Sequence, residues 1–132
     1  MSKTPDEFVY RATLDRIVDG DTFDCILHLG FDVKLHKQRV RLAGIDTPES
    51  RTRNLEEKAL GLKAKQRLIE LCKDTFKIQS LGKGKYGRIL GIPYTEDGQS
   101  ICQMLIDEKH AVEYWGGKKT GKILEDGTWG ED

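Results

Sequence analysis

A chain of 132 residues has the length of one domain, since domains run from roughly 50 to 200 residues, so its chemistry must sit on a single core with no autonomous second module. Lysine plus arginine equals aspartate plus glutamate at 22 each, which excludes a long-range attraction of the whole molecule to a polyanion; any affinity of that kind must be local. No stretch is apolar for long enough to span a bilayer, and Cys25, Cys72 and Cys102 lie far apart in apolar surroundings with no CxxC pair, which argues for buried free thiols in a reducing compartment and against a zinc site.

The segment Met1 to Glu7 lacks the apolar run of a secretion signal. A soluble cytoplasmic protein with no membrane association and no obligate protein partner is expected, a mature secreted form being the other reading. Residues 1–8 read as an N-terminal extension.

From Phe8 to Leu42, apolar or β-branched residues alternate with polar ones between turn signals, which predicts three consecutive antiparallel strands. They are expected over about Ala12 to Val18, Thr22 to His28 and Val33 to Leu42. Asp19-Gly20-Asp21 makes the first turn, because Asp-Gly tolerates the positive φ of tight hairpins, and Gly30-Phe31-Asp32 makes the second. After Pro48 good helix formers predict a helix from about Asn54 to Lys73. Its apolar residues form two stripes, Leu60, Ala64, Leu68 and Leu71 on one side and Leu55, Ala59, Leu62 and Ile69 on the other, so packing against more than one neighbour is expected.

Phe76 to Leu81 and Ile89 to Thr95 read as two further strands joined by the Gly- and Lys-rich loop from Gly82 to Gly87, and a second helix is expected over about Ser100 to Lys109. The predicted class is α+β, mainly β: a five-stranded Greek-key barrel of the OB type with two to three packed helices, over residues 9–116. From residue 117 to 132 the chain is rich in Gly, Lys and acids with Trp129 nearly alone, and a loosely held tail is expected.

Three local groups carry candidate chemistry. In Asp19-Gly20-Asp21-Thr22 the turn leaves a carboxylate at the mouth of a strand, free for a hard cation. Arg41 ends a strand that leads into Ile45-Asp46-Thr47-Pro48-Glu49, where Pro48 restricts Thr47 and its own φ, holding two carboxylates and a carbonyl in fixed directions. Lys83-Gly84-Lys85-Tyr86-Gly87-Arg88 offers exposed backbone and cations to phosphate. Singly, the three also fit a hairpin turn, a capped helix start and a solvated loop. Together they supply an oxygen-ligand cation site, a general base and paired guanidinium groups, the parts that hydrolysis of a phosphodiester needs.

In this order and spacing, D-G-D-T, an arginine before I-D-T-P-E, a helix and then K-Y-G-R, the chain resembles the staphylococcal nuclease (thermonuclease) family from about Thr13 to Trp115. The resemblance implies a calcium-dependent nuclease cutting DNA, single strands in preference, and RNA, with little sequence specificity, to leave 3′-phosphate and 5′-hydroxyl ends. It implies Asp21, Asp46 and the Thr47 carbonyl as Ca²⁺ ligands, with Asp19 a nearby acid. Glu49 would activate the attacking water, Arg41 and Arg88 would hold the phosphate, Lys85 and Tyr86 would contact a terminal phosphate, and Tyr114 or Trp115 would face the base. With Arg51, Arg53, Lys83 and Lys85 near the same loops, a locally basic cleft is expected. The chain departs from many relatives in carrying Gly84 where they have aspartate, and the closing third helix of the best-known member is not apparent. A non-catalytic nucleic-acid-binding domain of the same fold is the alternative reading.

Overall fold

A computed structural model of the protein describes residues 7–84 and 87–131. Strands β1 (Val9–Asp19), β2 (Thr22–Gly30) and β3 (Val33–Leu42) form an antiparallel meander. They are followed by β4 (Ile45–Asp46), helix α1 (Leu55–Cys72), β5 (Thr75–Lys83), β6 (Ile89–Tyr94) and helix α2 (Ile101–Asp107). Three two-residue strands complete the order: β7 (Val112–Glu113), β8 (Lys122–Ile123) and β9 (Trp129–Gly130).

Five strands close into a barrel in the order β1-β2-β3-β6-β5. Closure requires β1 to pair with β5, from Val9 opposite Gln79 to Thr13 opposite Thr75, and β3 to run parallel to β6, from Val40 opposite Ile89 to Leu42 opposite Gly91. This is the predicted α+β architecture, a five-stranded OB-type Greek-key barrel with two helices. In β2 the period-two pattern is direct: Phe23, Cys25 and Leu27 point inward while Asp24, Ile26 and His28 reach the outer side. Phe23 meets Phe76 edge to face, with ring centroids 5.2 Å apart at 87°, a geometry that aligns the positive ring edge with the negative face.

The core thiols are inert. Burial pushes Cys25 and Cys102 up to about 12 and raises Cys72 as well, so none supplies a thiolate at neutral pH.

Helix α1 begins where Asn54 accepts from the main-chain N–H of Glu56 and Glu57, both at 3.1 Å, and those two acids face the positive end of the helix dipole. It contacts β1 and α2, but through one face only, that of Gly61, Ala64, Leu68, Leu71 and Cys72. The second apolar stripe is solvent-facing among the described residues: Leu55, Ala59, Leu62 and Ile69 are exposed, because the β1 and α2 contacts of the helix fall on its other face.

The segment after Gly116 also departs from expectation. Rather than a loose tail it forms the β8–β9 hairpin, closed by Leu124 N–H donating to the Thr128 carbonyl at 2.7 Å. Trp129 is buried, its ring lies where a Cβ on Gly121 would come within 2.6 Å, and its Nε1–H donates to the Asp46 carbonyl at 3.2 Å. One aromatic anchor holds this segment, so no apolar periodicity announces it. No helix among the described residues is long and apolar enough to cross a membrane.

The one-sided burial of α1 has a measurable consequence. Leu68→Ala, at a fully buried site, is expected to cost about 2–5 kcal/mol, whereas Leu62→Ala should stay within about 0.5 kcal/mol of the parent. Urea denaturation with an unchanged m-value would measure both; equal losses would mean that the outer stripe is packed.

Candidate functional site

One rim of the barrel collects the three sequence groups because the strand register brings their ends together. Thr22, just after the first turn, lies opposite Arg41 on β3, and Arg41 in turn lies opposite Leu90 on β6. The Leu42 N–H donates to the Asp21 carbonyl at 2.8 Å, and Asp46 on β4 pairs with Val112 on β7. Gly20 closes the arrangement from the helix side. It is not among the positive-φ residues, contrary to the expectation from the turn; instead a Cβ there would sit 2.7 Å from the Ala64 Cβ and 3.1 Å from the Thr47 hydroxyl. Glycine is needed for close approach of the turn, α1 and the I-D-T-P-E bend, not for handedness.

A pocket of about 150 Å³ opens there, lined by Asp19, Asp21, Thr22, Arg41, Asp46, Thr47, Pro48, Glu49, Arg88 and Lys119. Asp21, Arg41, Asp46, Thr47, Glu49 and Arg88, six of the residues singled out in the sequence, therefore share one cavity. Lys85 and Tyr86 lie outside the described residues. Tyr114 and Trp115 line an adjoining hollow of about 230 Å³ that shares Arg41 with the first. Trp115 is exposed and its ring lies over Gly44, where a Cβ would come within 2.4 Å of it; a flat aromatic face thus stands beside the charged pocket.

The side chains are held by specific partners. Arg41 donates to the Leu42 carbonyl at 2.7 Å and the Ile45 carbonyl at 2.9 Å and lies 3.5 Å from the Asp21 carboxylate. Two of its five N–H donors are thus committed to the bend, making it a structural residue as well as a phosphate candidate. Asp19 accepts from the Ser50 hydroxyl and stands 3.7 Å from Arg51. Thr22 donates its hydroxyl to Asp21 at 3.0 Å. The Glu49 main-chain N–H donates to the Glu57 carboxylate at 2.9 Å, and Gly61 of α1 lies so close that a Cβ would be 2.5 Å from the Glu49 carbonyl. Both contacts fix the backbone of Glu49 while its side chain is left exposed.

The electrostatics are not those of a simple basic cleft. Four carboxylates, Asp19, Asp21, Asp46 and Glu49, stand against three cationic side chains, Arg41, Arg88 and Lys119, among the described residues lining the pocket. Burial holds the Asp46 carboxyl above the ordinary carboxylate range; Lys119 pulls it back, Asp21 adds to the rise, and Arg41 opposes it. A polyanion meets this pocket favourably only if further positive charge enters.

Among the described residues, no three His, Cys, Asp or Glu side chains converge as a ready-made metal site. A cation in the pocket would rest on the Asp21 and Asp46 carboxylates and the Thr47 carbonyl, with water or substrate oxygen completing its shell. An all-oxygen donor set with surplus negative charge suits a hard divalent ion such as Ca²⁺ or Mg²⁺, so the residues present fit such a group. No histidine is among the described residues of the pocket.

Four contributors escaped the sequence reading. Lys119 stands 3.5 Å from the Asp46 carboxylate, Trp129 holds the Asp46 carbonyl, and Glu57 and Gly61 set the Glu49 backbone. Helical spacing marks Glu57 and Gly61 only as ordinary members of α1, and no local pattern marks Lys119 or Trp129.

A closed five-stranded barrel with carboxylates and guanidinium groups gathered on one rim defines an OB-type barrel, an architecture that presents ligand sites on one face. Comparison with known proteins makes the assignment specific: the model of the family described as staphylococcal nuclease homologue matches residues 39–125, and the chain belongs to that family. It is 33% identical over 115 residues to endonuclease YhcR of Bacillus subtilis (strain 168), covering 80% of this chain and 9% of that protein. It is 37% identical over 86 residues to the micrococcal nuclease of Shigella flexneri, covering 64% of this chain and 42% of the relative. Endonuclease YncB of Bacillus subtilis (strain 168) is 37% identical over 102 residues, covering 74% of this chain and 44% of the relative. The chain thus spans less than half the length of these relatives.

The raised Asp46 value sets a pH dependence. The unfolded chain releases that proton at the ordinary value of 3.8, before the folded protein does, so the folded state binds more protons in between. Stability is therefore lost as pH rises through that window. In a chelator, Asp46→Asn is expected to raise the urea midpoint at pH 7 and to lose this advantage below the ordinary carboxylate range. An unchanged or lowered midpoint at pH 7 would contradict the assigned environment.

Proposed function

We propose that the chain is a metal-dependent phosphodiester hydrolase, a nuclease that uses Ca²⁺ at Asp21, Asp46 and Thr47 and cuts DNA, single strands in preference, and RNA. The single observation that carries this reading is the meeting, in one pocket, of the oxygen-ligand pair Asp21 and Asp46 with Glu49, Arg41 and Arg88. The names of the family relatives, nuclease and endonuclease, point the same way.

The chemistry follows from charge. Attack of water on phosphorus builds negative charge on the non-bridging oxygens, and a bound divalent ion would supply Lewis-acid stabilisation of that charge. Arg88 and the uncommitted donors of Arg41 complement the same oxygens with forked N–H groups, which lysine would match less well. The Glu49 carboxylate takes the proton of the attacking water; its main chain, anchored by Glu57 and pressed against Gly61, limits how far it can stray. Breaking the bond from phosphorus to the 5′ oxygen leaves a 3′-phosphate and, once that oxygen is protonated, a 5′-hydroxyl. Backbone phosphates carry no sequence code, and Trp115 beside the pocket offers a stacking face that any unpaired base can use, which accounts for the preference for single strands and low specificity.

Digestion of single-stranded DNA in Ca²⁺ or in chelator tests the reading. Chelator should abolish cutting, Glu49→Gln should lower kcat by about 10²- to 10⁴-fold, and Arg88→Ala by about 10²- to 10³-fold. Arg41 also holds the bend, so its replacement would change the backbone as well as the phosphate contact. Undiminished cutting in chelator, or by both variants, would refute the mechanism, and binding without cutting by the parent would favour a non-catalytic nucleic-acid-binding domain.

A further inference from the structure

Lys119 belongs to the loop between β7 and β8, where no part of the nuclease reading assigns a role. Its Nζ lies 3.5 Å from the Asp46 carboxylate, whose side chain is 7% exposed while that of Lys119 is 58% exposed. The loop is tied at both ends. On one side the Tyr114 hydroxyl donates to the Gly117 carbonyl at 2.8 Å, and the Lys119 ammonium lies 5.9 Å from the centre of the Tyr114 ring. On the other, Gly121 lies beneath Trp129, which donates to the carbonyl of Asp46 itself. The ammonium is thus presented to a chosen carboxylate by a hairpin anchored on the same residue.

We propose that Lys119 is a built-in counter-cation of Asp46, competing with the divalent ion for that carboxylate and so setting the metal concentration at which the site fills. The inference rests on the metal reading given above. A buried carboxylate beside Asp21 cannot stand uncompensated without cost, and lysine supplies a charge without demanding a fixed geometry. Because the ammonium end is largely in water, it can withdraw into solvent when a stronger cation arrives. The two cations cannot share the carboxylate freely, since each repels the other at close range. Exposed ion pairs contribute little, so the competition is mild, a tuning of affinity and not a block.

The test is a Ca²⁺ titration of the full chain without nucleic acid, at fixed ionic strength. It is read by calorimetry and by the fluorescence of the two tryptophans, one of which touches Asp46. Lys119→Met should bind Ca²⁺ about two- to five-fold more tightly than the parent, Lys119→Arg should stay within about two-fold of it because the charge is kept, and Asp46→Asn should abolish binding. Denaturation midpoints of the two Lys119 variants near that of the parent would establish that both are folded, as the exposure of the side chain leads one to expect. A parent that binds Ca²⁺ while Lys119→Met binds it equally or less tightly would overturn the role of Lys119 and leave the metal reading standing. Silence of the parent and of Lys119→Met by both readouts would overturn the metal reading and the counter-cation with it.

Discussion

Two carboxylates, Asp21 and Asp46, are confined to one rim of the barrel, and like charges held close together must be compensated. Burial raises the Asp46 carboxyl and the neighbouring Asp21 adds to the rise, because a like charge nearby disfavours the ionised form. Much of the surrounding structure answers this crowding. Arg41 reaches Asp21 while bracing the bend, Lys119 reaches Asp46, and Asp19 is occupied by Ser50 and Arg51. The compensation is incomplete among the described residues, with four carboxylates set against three cations, and the remaining negative charge is what the proposed divalent cation would answer.

Such a cluster persists because its backbone is over-determined. The turn after β1, the bend after β4 and helix α1 approach one another at Gly20 and Gly61, where a single added carbon would collide with Ala64, Thr47 or the Glu49 carbonyl. The barrel contributes direction: the pairing of Thr22 with Arg41 and of Arg41 with Leu90 aims three strand ends at one point. Rigid elements carry the acids, and an exposed edge carries the aromatic face of Trp115. That division is the one the proposed substrate would need, with phosphates placed accurately while the bases vary.

The barrel was legible in the sequence because alternation and turn residues are local signals; β1 to β3 and α1 fall close to where they were expected. The pocket was legible through D-G-D-T, I-D-T-P-E and Arg88, short motifs whose side chains the structure brings to one cavity. What could not be read depends on contacts between distant segments. The bond from Trp129 to Asp46 spans 83 residues, and it turns an apparent tail into a wall of the site. The outer stripe of α1 was apolar enough to suggest a second neighbour, yet only the arrangement of the other elements decides which side of a helix is covered. Gly20 was identified as special for the wrong physical reason, since a turn dipeptide and a packing contact leave the same letter in the sequence.

Gly61 sets helix propensity against the packing of a neighbouring loop. Alanine in the interior of a helix is favoured over glycine by about 1 kcal/mol, so any selection acting through helix propensity alone would drive Gly61 toward it. The methyl group thus gained would press on the peptide that carries Glu49. A better helix former would then displace the Glu49 and Ser50 backbone, and a glycine that looks like a flaw in α1 is the clearance on which the neighbouring loop depends.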